Sequence, residues 1–333
     1  MNTLGVSPLT LQRALDRLEQ EGFVRSIDRV GSFVASNPPH LSRYPLIFIS
    51  SPNSPFGGWT RFWQILSTSA AEAATRAGMQ IPIYTGIDGH ADNEDYLSLL
   101  GDIEYGRLAG LIFTQHPGLL RDTPLLTTPG IPRVAISRSI DYMAVVTHDF
   151  ASFFSRSAQY LASVGCRKVA VILTPGQRPG SASNIEAVLE SAGLSVRPEW
   201  IQVMAGPESC KTVLQLLMSG NTRERPDGLI LADDNFMEHG AAGLAAAGVR
   251  VPDDLHVVTH CNFPPMPEPN VTRFVRLGWD VREMLAACLE ILEAQREGDA
   301  DPQSQRLMPA RFEDELRLPA AGRQKGGRAP PGE

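Results

Sequence analysis

The alternation of short apolar runs with longer segments of helical period constrains the fold of this chain more than any other feature. Beyond Pro45, the apolar runs are residues 46–50, 81–84, 110–113, 133–136 and 145–147, and then 168–173, 201–203, 228–231 and 255–258. The segments between them predict helices at 60–77, 93–101, 149–164, 181–192, 208–219 and 235–247. This alternation is typical of parallel sheets covered by helices on both faces. The sequence therefore predicts an α/β fold with two sheets in two lobes, completed by a helix at 278–296 and a strand near 307–313.

Composition and charge narrow the range of functions. The chain has 333 residues, a formal net charge of -7 and a sequence pI near 5.6, so any contact with DNA must be confined to a small part of it. Its four cysteines are far apart in the sequence, which is typical of free thiols in a reducing compartment. Neither a basic segment followed by an apolar one at the start nor a run of about 18 apolar residues is present. We therefore expect a cytoplasmic protein without a membrane partner.

The first part of the chain predicts one amphipathic helix. Ser7 suits a helix cap, and Pro8 suits the first turn. Gly22 predicts the end of the helix. One face of this helix carries an apolar stripe made of Leu11, Ala14, Leu15 and Leu18.

A hairpin and a linker are predicted after this helix. Residues 23–25 and 32–34 are typical of two short strands that pair around a turn at 28–31, where Gly31 permits the turn. The Asn-Pro-Pro-His sequence that follows predicts a stiff, non-helical linker. The linker is expected to share few contacts with the rest of the chain.

The stretch GVSPLTLQRALDRLEQEGFVRSIDRVGSFVA, residues 5–35, resembles the second half of a GntR-type winged helix, in which a Gly-Val-Ser turn leads into the recognition helix and a wing containing glycine follows. The resemblance covers about a tenth of the chain. Gln12 stands where the family usually has Arg, and Arg13 comes next. The resemblance implies that operator DNA is contacted by Ser7, Thr10, Gln12, Arg13, Arg17, Arg29 and Gly31.

The region from Pro45 to Leu318 resembles the LacI/GalR effector domain, which shares its fold with periplasmic sugar-binding proteins. In one matching segment, 149–171, a helix containing Tyr160-Leu161 leads through Gly-Cys-Arg-Lys into a strand. The other, 226–262, follows the family order of strand, polar pair, Gly-rich helix, Val-Pro-acidic-acidic turn and strand. The resemblance implies a two-lobed periplasmic-binding-protein-like fold, a homodimer, and a ligand cleft whose closure alters the spacing of two DNA-reading heads.

Together these features predict the domain organisation. We expect a partial winged helix at 1–36, a linker at 37–44, a ligand-binding domain at 45–318 and a disordered tail at 319–333, which is rich in Gly, Pro, Ala and Arg. Within the ligand-binding domain, lobe 1 is expected to comprise about 45–148 and 277–305, and lobe 2 about 149–276 and 306–318. We also expect 45–318 to fold without residues 1–36.

Ligands of open α/β sheets bind beyond the carboxyl ends of the strands, so the loops there supply the candidate ligand-binding residues. The polar and aromatic loop after the first strand offers Ser51, Phe56, Trp59 and Phe62, and an aromatic ring packs well on the apolar face of a sugar. The ends of later strands add Arg138, Asp149, Gln177, Asp233, His260, Cys261 and Asn262, whose polar groups suit a small polar ligand such as a sugar. Structural alternatives stay open, with Phe62 as a core residue, Asp149 as a helix cap, and Asp233 and Asp234 as a solvated turn or cap.

Two departures from the LacI/GalR pattern bear on the ligand. After the strand predicted at 255–258, the family usually has an Asp, and this chain has Cys261. At the start of the helix after Gly180, the family usually has an Arg, and this chain has Ser181. The carboxylate and the guanidinium that usually anchor a sugar are therefore absent from these two positions. We expect either an unusual ligand or a pocket that has lost its original one.

These features predict a ligand-responsive transcription regulator that needs no cofactor or metal. No Walker-type loop, G-x-S-x-G elbow or HExxH helix indicates an enzyme. The closest candidates for metal ligands are His256, His260 and Cys261. On a strand, His256 and His260 would lie about 13 Å apart, which is too far for both to bind one ion. The alternatives are a solute-binding protein, which the missing signal peptide disfavours, and a ligand sensor or remnant without DNA binding. Residues 1–36 carry four Arg and four acidic residues, so we expect weak operator binding by the chain as given.

Overall fold

The computed structural model of the chain describes residues 6–50, 60–90, 92–177, 185–204, 206–220, 224–265, 273–299, 301 and 303–317. The chain forms two compact units, one from Met1–His148 with Val281–Met308 and the other from Asp149–Asp280 with Pro309–Glu333. In chain order the helices are α1 (Pro8–Gln20), α2 (Pro39–Ser42), α3 (Arg61–Ala77), α4 (Glu94–Glu104), α5 (Pro124–Thr127), α6 (Phe150–Ser163), α7 (Ile185–Ser191), α8 (Glu208–Met218), α9 (Met237–Ala246), α10 (Val281–Glu297) and α11 (Glu313–Arg317). The strands are β1 (Val24–Ile27), β2 (Gly31–Val34), β3 (Leu46–Ile47), β4 (Ile83–Tyr84), β5 (Leu111–Phe113), β6 (Arg133–Ile136), β7 (Ala144–Asp149), β8 (Val169–Leu173), β9 (Ile201–Val203), β10 (Gly228–Leu231), β11 (His256–Phe263), β12 (Val275–Asp280), β13 (Gln305–Pro309) and β14 (Arg311–Phe312).

The N-terminal segment forms the predicted helix and hairpin. The Ser7 hydroxyl caps α1 by accepting a hydrogen bond from the Thr10 amide at 3.2 Å. Gly22 has a φ of 81°, a backbone conformation that glycine adopts without strain, and the chain turns there into β1. β1 and β2 pair antiparallel, with Ile27 opposite Gly31. These contacts confirm the predicted secondary structure of this segment.

The linker after the hairpin differs from the prediction of a non-helical segment with few contacts. Residues 39–42 form the helical turn α2, because Pro39 at its first position has the φ that a helix requires. Pro39 is buried, and the ring of His40 stacks on that of Phe23 with centroids 5.4 Å apart. The Asn37 side-chain amide donates to the Gly78 carbonyl at 2.8 Å. The linker is therefore packed against its neighbours within the first unit.

The first unit is built on a six-stranded sheet with the strand order β13-β7-β6-β5-β3-β4. The pairs β3–β4, β3–β5, β5–β6 and β6–β7 are parallel. Its core cluster takes Ile47, Tyr84 and Phe113 from the strands and Leu99 from α4. Because these strands are parallel, the residues that follow β3, β4, β5 and β6 gather at one edge of the sheet.

The second unit contains a six-stranded sheet with the order β14-β12-β11-β10-β8-β9. The pairs β8–β9, β8–β10, β10–β11 and β11–β12 are parallel, and β12 pairs antiparallel with β14. The helices α8 and α9 approach closely, since a Cβ added at Gly243 would lie 2.4 Å from the Lys211 carbonyl oxygen. Both sheets are mostly parallel and lie among helices, which confirms the predicted α/β class.

Two elements near the end of the chain differ from the prediction. Residues Val275–Asp280 form the strand β12, and the helix expected from 278 begins only at Val281. β12 pairs so closely with β11 that a Cβ at Gly278 would lie 1.9 Å from the Cys261 carbonyl oxygen. The single strand expected near 307–313 is instead two strands, β13 in the first sheet and β14 in the second, followed by α11. They are separated by Ala310, which is fully buried and donates its amide to the Ser152 hydroxyl at 2.9 Å.

Candidate functional site

A cavity of about 670 Å³ opens at the edge of the first sheet where β3 and β4 end. Thr85 follows β4 directly, Ser50 lies shortly after β3, and the start of α4 also lines the cavity. The lining also contains four acidic residues, Asp88, Asp92, Glu94 and Asp95. Hydroxyl and carboxylate oxygens on the wall suit a ligand that donates several hydrogen bonds.

Hydrogen bonds within the protein fix the position of this lining. Asp95 Oδ2 accepts from the Thr85 amide at 2.9 Å. Asn93 caps α4 by accepting from the Tyr96 amide at 3.0 Å, and its amide group donates to the Gly86 carbonyl at 2.7 Å. The loop after β4 is thus tied to the start of α4. Our sequence prediction omitted Thr85 and Asp95, although Thr85 follows the apolar run 81–84 in the same way that other candidates follow theirs.

Three further side chains lie at or near the ends of neighbouring strands in the first unit. The Gln115 side-chain amide, shortly after β5, donates to the Ser50 hydroxyl at 3.2 Å. Arg138, shortly after β6, is exposed. Phe62 on α3 is half-buried and makes an edge contact with the ring of His148, with centroids 5.5 Å apart. The predicted binding residues Ser51, Phe56 and Trp59, and the departure at Ser181, lie outside the described residues.

The acidic and amide candidates of the second unit make local hydrogen bonds. Asp149 Oδ1 caps α6 by accepting from the Ser152 amide at 3.0 Å. Asp233 Oδ1 accepts from the backbone and side-chain nitrogens of Asn235 at 2.9 and 2.6 Å. Gln177 accepts from the Thr174 amide at 3.0 Å and donates to the Ala232 carbonyl at 2.6 Å. The contacts of Asp233 and Gln177 position loops at the carboxyl edge of the second sheet, whereas that of Asp149 fixes the start of α6.

A buried polar cluster lies at the same edge, and its central residue is Asp234, which the sequence analysis considered only as a turn or cap. Asp234 is 2% exposed, and its Oδ2 accepts from the Asn262 backbone nitrogen at 3.1 Å and from Asn262 Nδ2 at 2.9 Å. His260 packs edge-on to the ring of Phe153, and its centroid lies 5.1 Å from that of Trp279. Among the described residues, Asp234 Oδ1, Asn262 Oδ1 and both ring nitrogens of His260 are buried without a hydrogen-bond partner.

Burial determines the chemistry of this cluster. Desolvation raises the pKa of Asp234, and the neighbouring Asp233 charge raises it further, while His260 and the bonds from Asn262 oppose the shift. Of the three residues predicted at the end of β11, His260 is 7% exposed, Cys261 1% and Asn262 2%. The structure therefore brings His260 and Asn262 together with Asp234 but buries all three of the predicted residues. Their contact with a ligand stays a prediction.

The candidate DNA-contacting residues lie at the start and on the polar side of α1 and at the turn of the hairpin. The Ser7 and Thr10 hydroxyls lie 2.8 Å apart, and Gln12 donates to Asp16 at 2.7 Å. Arg17 pairs with Glu21 at 2.9 Å. All seven predicted residues are exposed, namely Ser7, Thr10, Gln12, Arg13, Arg17, Arg29 and Gly31.

Comparison with known proteins agrees with this architecture. A family model described as a periplasmic binding protein-like domain matches residues 158–314. Residues 158–314 are therefore similar to a domain of this kind. This domain accounts for most of the second unit and part of the first. No match was found among curated proteins.

Solved structures of LacI-family regulators share the fold. A regulatory protein of this family from Chloroflexus aggregans has a TM-score of 0.62 at 16% identity, covering 81% of this chain and 96% of its own. A LacI family regulator from Arthrobacter sp. FB24, in complex with lactose, has a TM-score of 0.61 at 16% identity, covering 81% and 97%. The transcriptional regulator CelR, in complex with cellobiose, has a TM-score of 0.61 at 18% identity, covering 93% and 91%. At these identities the likeness concerns the fold.

Within the part of the chain that the structure describes, no helix combines the length and the apolar character that a membrane span requires. In the same residues, no group of three or more His, Cys, Asp or Glu side chains is arranged to hold a metal ion.

Proposed function

We propose that the chain is a cytoplasmic, ligand-responsive transcription regulator and not an enzyme. The observation that carries this proposal is the combination, in one chain, of a helix–hairpin module with a periplasmic-binding-protein-like fold. The module has the element order of the second half of a GntR-type winged helix. Solved regulators with the same fold are described as complexes with lactose and cellobiose.

The cavity in the first unit is the proposed ligand contact, and a sugar-like molecule is the proposed ligand class. The carboxylates of Asp88, Asp92 and Glu94 and the hydroxyls of Ser50 and Thr85 accept hydrogen bonds from hydroxyl groups. With four acidic residues on its wall, the cavity disfavours an anionic ligand such as a sugar phosphate. Arg138, which follows β6 in the same unit, is a further proposed contact.

The proposed regulator acts as a homodimer, in which ligand binding changes the affinity of the paired N-terminal modules for operator DNA. A ligand sensor without DNA binding is the second candidate. It is favoured by the exposure of the α1 apolar stripe, since Leu11 is 42% and Leu18 39% exposed, whereas a recognition helix buries this face against other helices.

Ligand binding is tested first, with the intact chain and a panel of sugars that includes lactose, cellobiose and ribose. A sugar present at about 100 times its Kd should stabilise the chain by roughly 2.7 kcal/mol, which a thermal-shift assay detects. Asp92→Asn should weaken calorimetric binding of that sugar about 10-fold, because a hydrogen bond to a charged acceptor contributes about 1.5 kcal/mol.

Asp122→Asn is the matched control, because Asp122 is also exposed but does not line the cavity. It should leave the affinity unchanged. A shift with none of the panel sugars, or equal affinity in the Asp92 and Asp122 variants, would count against the proposed ligand site. Binding of sugar without any salt-sensitive binding of duplex DNA from the chain's own promoter would favour the second candidate.

A further inference from the structure

The two sides of α1 have different surroundings. At 3.6 residues per turn, the apolar stripe at Leu11 and Leu18 lies opposite the side that carries Arg13, Arg17 and Gln20. A recognition helix of this kind packs its apolar side against its own domain and turns the polar side to the DNA groove. The polar side of α1 is therefore the DNA-facing side, a step that rests on the function proposed above.

This DNA-facing side lies near the end of α4 within the first unit. It lines a cavity of about 510 Å³ together with Tyr105 and Arg107, which follow α4. The guanidinium carbon of Arg17 lies 4.7 Å from the centroid of the Tyr105 ring, and that of Arg107 lies 5.2 Å from the same ring. Two cations thus share one aromatic ring. We call Tyr105 and Arg107 the Tyr105 platform.

The platform is held firmly in place. Tyr105 is the C-cap residue of α4, and its amide donates to the Gly101 carbonyl at 3.1 Å. Arg107 Nε lies 3.1 Å from Asp102 Oδ1, and Asp102, itself buried, also pairs with Arg43 at 2.9 Å. The start of the same helix lines the proposed ligand cavity, about 16 Å away at 1.5 Å per residue.

The chain just past the C-terminal end of α1 is also anchored. Pro39 Cγ would lie 3.5 Å from a Cβ at Gly22, just past the helix, and the Phe23 ring stacks on His40. Contacts at the hairpin and at Arg17 together set the orientation of α1 against the platform. DNA and the Tyr105 ring cannot occupy the same side of Arg17 at once.

We propose that the Tyr105 platform is an autoinhibitory surface, which holds Arg17 on the DNA-facing side of α1 in the arrangement described here. DNA binding then requires α1 to leave the platform. The helix that positions Tyr105 also contributes to the ligand cavity, so the platform is placed where ligand binding can influence it.

The first measurement follows hydrogen exchange of the α1 amides in the intact chain. Tyr105→Ala removes the ring and should accelerate exchange in Pro8–Gln20 about two- to five-fold, the factor expected from an exposed cation–π contact. Tyr105→Phe keeps the ring and should exchange nearly like the wild type. Exchange in the core strand β10 should be the same in all three proteins and serves as the control for folding. Unchanged α1 exchange in Tyr105→Ala would overturn the proposal.

The second measurement is a salt-dependent anisotropy titration with duplex DNA from the chain's own promoter. Tyr105→Ala should bind about two- to five-fold more tightly than the wild type, and adding Arg17→Ala should remove the gain, because a phosphate contact is lost. Equal binding by wild type and Tyr105→Ala would overturn the autoinhibition and leave the regulator function standing. Absence of DNA binding by every variant would overturn both.

Discussion

The carboxyl edges of the two sheets carry polar side chains in contrasting states. In the first unit, Ser50, Thr85 and Asp95 line an open cavity, and their hydrogen bonds tie loops together at its rim. In the second unit, Asp234 and Asn262 are buried and bonded to each other. The same topological position is thus an open cavity in one unit and part of the core in the other. We therefore expect substitutions of polar residues at the first edge to change stability less than substitutions at the second.

The largest expected effect is that of Asp234→Ala. The substitution leaves the backbone and side-chain nitrogens of Asn262 buried without an acceptor. Because an unsatisfied buried polar group costs about 1–3 kcal/mol, we expect a loss of roughly 2–4 kcal/mol in the free energy of unfolding, measured by urea denaturation.

Asp233→Ala is the neighbouring control. Asp233 is half-buried and bonds only to Asn235 in the described contacts, so its loss should cost about 1 kcal/mol, as for a helix cap. Equal losses in the free energy of unfolding for the two variants would contradict the contrast between the half-buried Asp233 and the buried Asp234.

A smaller effect is expected from pH. Burial raises the pKa of Asp234 in the folded state above its ordinary value of about 4. Between that value and the raised pKa, the folded chain binds more protons than the unfolded chain, so the contribution of Asp234 to stability falls as pH rises. Asp234→Asn removes this dependence, so the stability of the variant relative to wild type should increase as pH rises from about 4.

Asp254 provides a comparison of opposite sign within the same unit. Hydrogen bonds from Arg250 lower its pKa to about 2, so it contributes stability above its ordinary pKa and loses that contribution as pH falls through about 2. Asp254→Asn should therefore lose stability relative to wild type as pH rises from about 2 to 5. Urea denaturation at a series of pH values measures the stability of both variants. If their stabilities relative to wild type change with pH in the same direction, the assignment of Asp234 as the buried acid is contradicted.

The smallest expected effect is that of Ser50→Ala. The substitution removes the hydroxyl that accepts from Gln115 at the rim of the open cavity. Water can replace this bond at a half-buried position, so the free energy of unfolding should change by no more than about 0.5 kcal/mol. Binding of a sugar found in the panel should weaken in the same variant. A stability loss above about 2 kcal/mol would show that the first edge is also part of the core.

Local sequence signals predicted much of the fold but not the polar cluster. The helix cap at Ser7, the hairpin and most strands follow from period and turn residues, which act within a few positions. The strand β12 was missed, and a helix was predicted from residue 278. The need for glycine at position 278 becomes clear only from the close approach of β11, which is distant in sequence. Asp234 was missed as a buried acid because its partner Asn262 lies 28 residues away in sequence.

The sequence by itself determined the α/β class, the helix and hairpin at the start, and the strand ends at which a ligand site is expected. These depend on hydrophobic period and on the direction of parallel strands, which are properties of neighbouring residues. Only the tertiary structure decided that the end of β11 is buried, that the first edge has an acidic cavity, and that Arg17 lies on Tyr105. Burial and long-range contacts depend on how separate elements pack. The hydrophobic period of a segment predicts its secondary structure, but it does not specify which side chains of other elements the segment contacts.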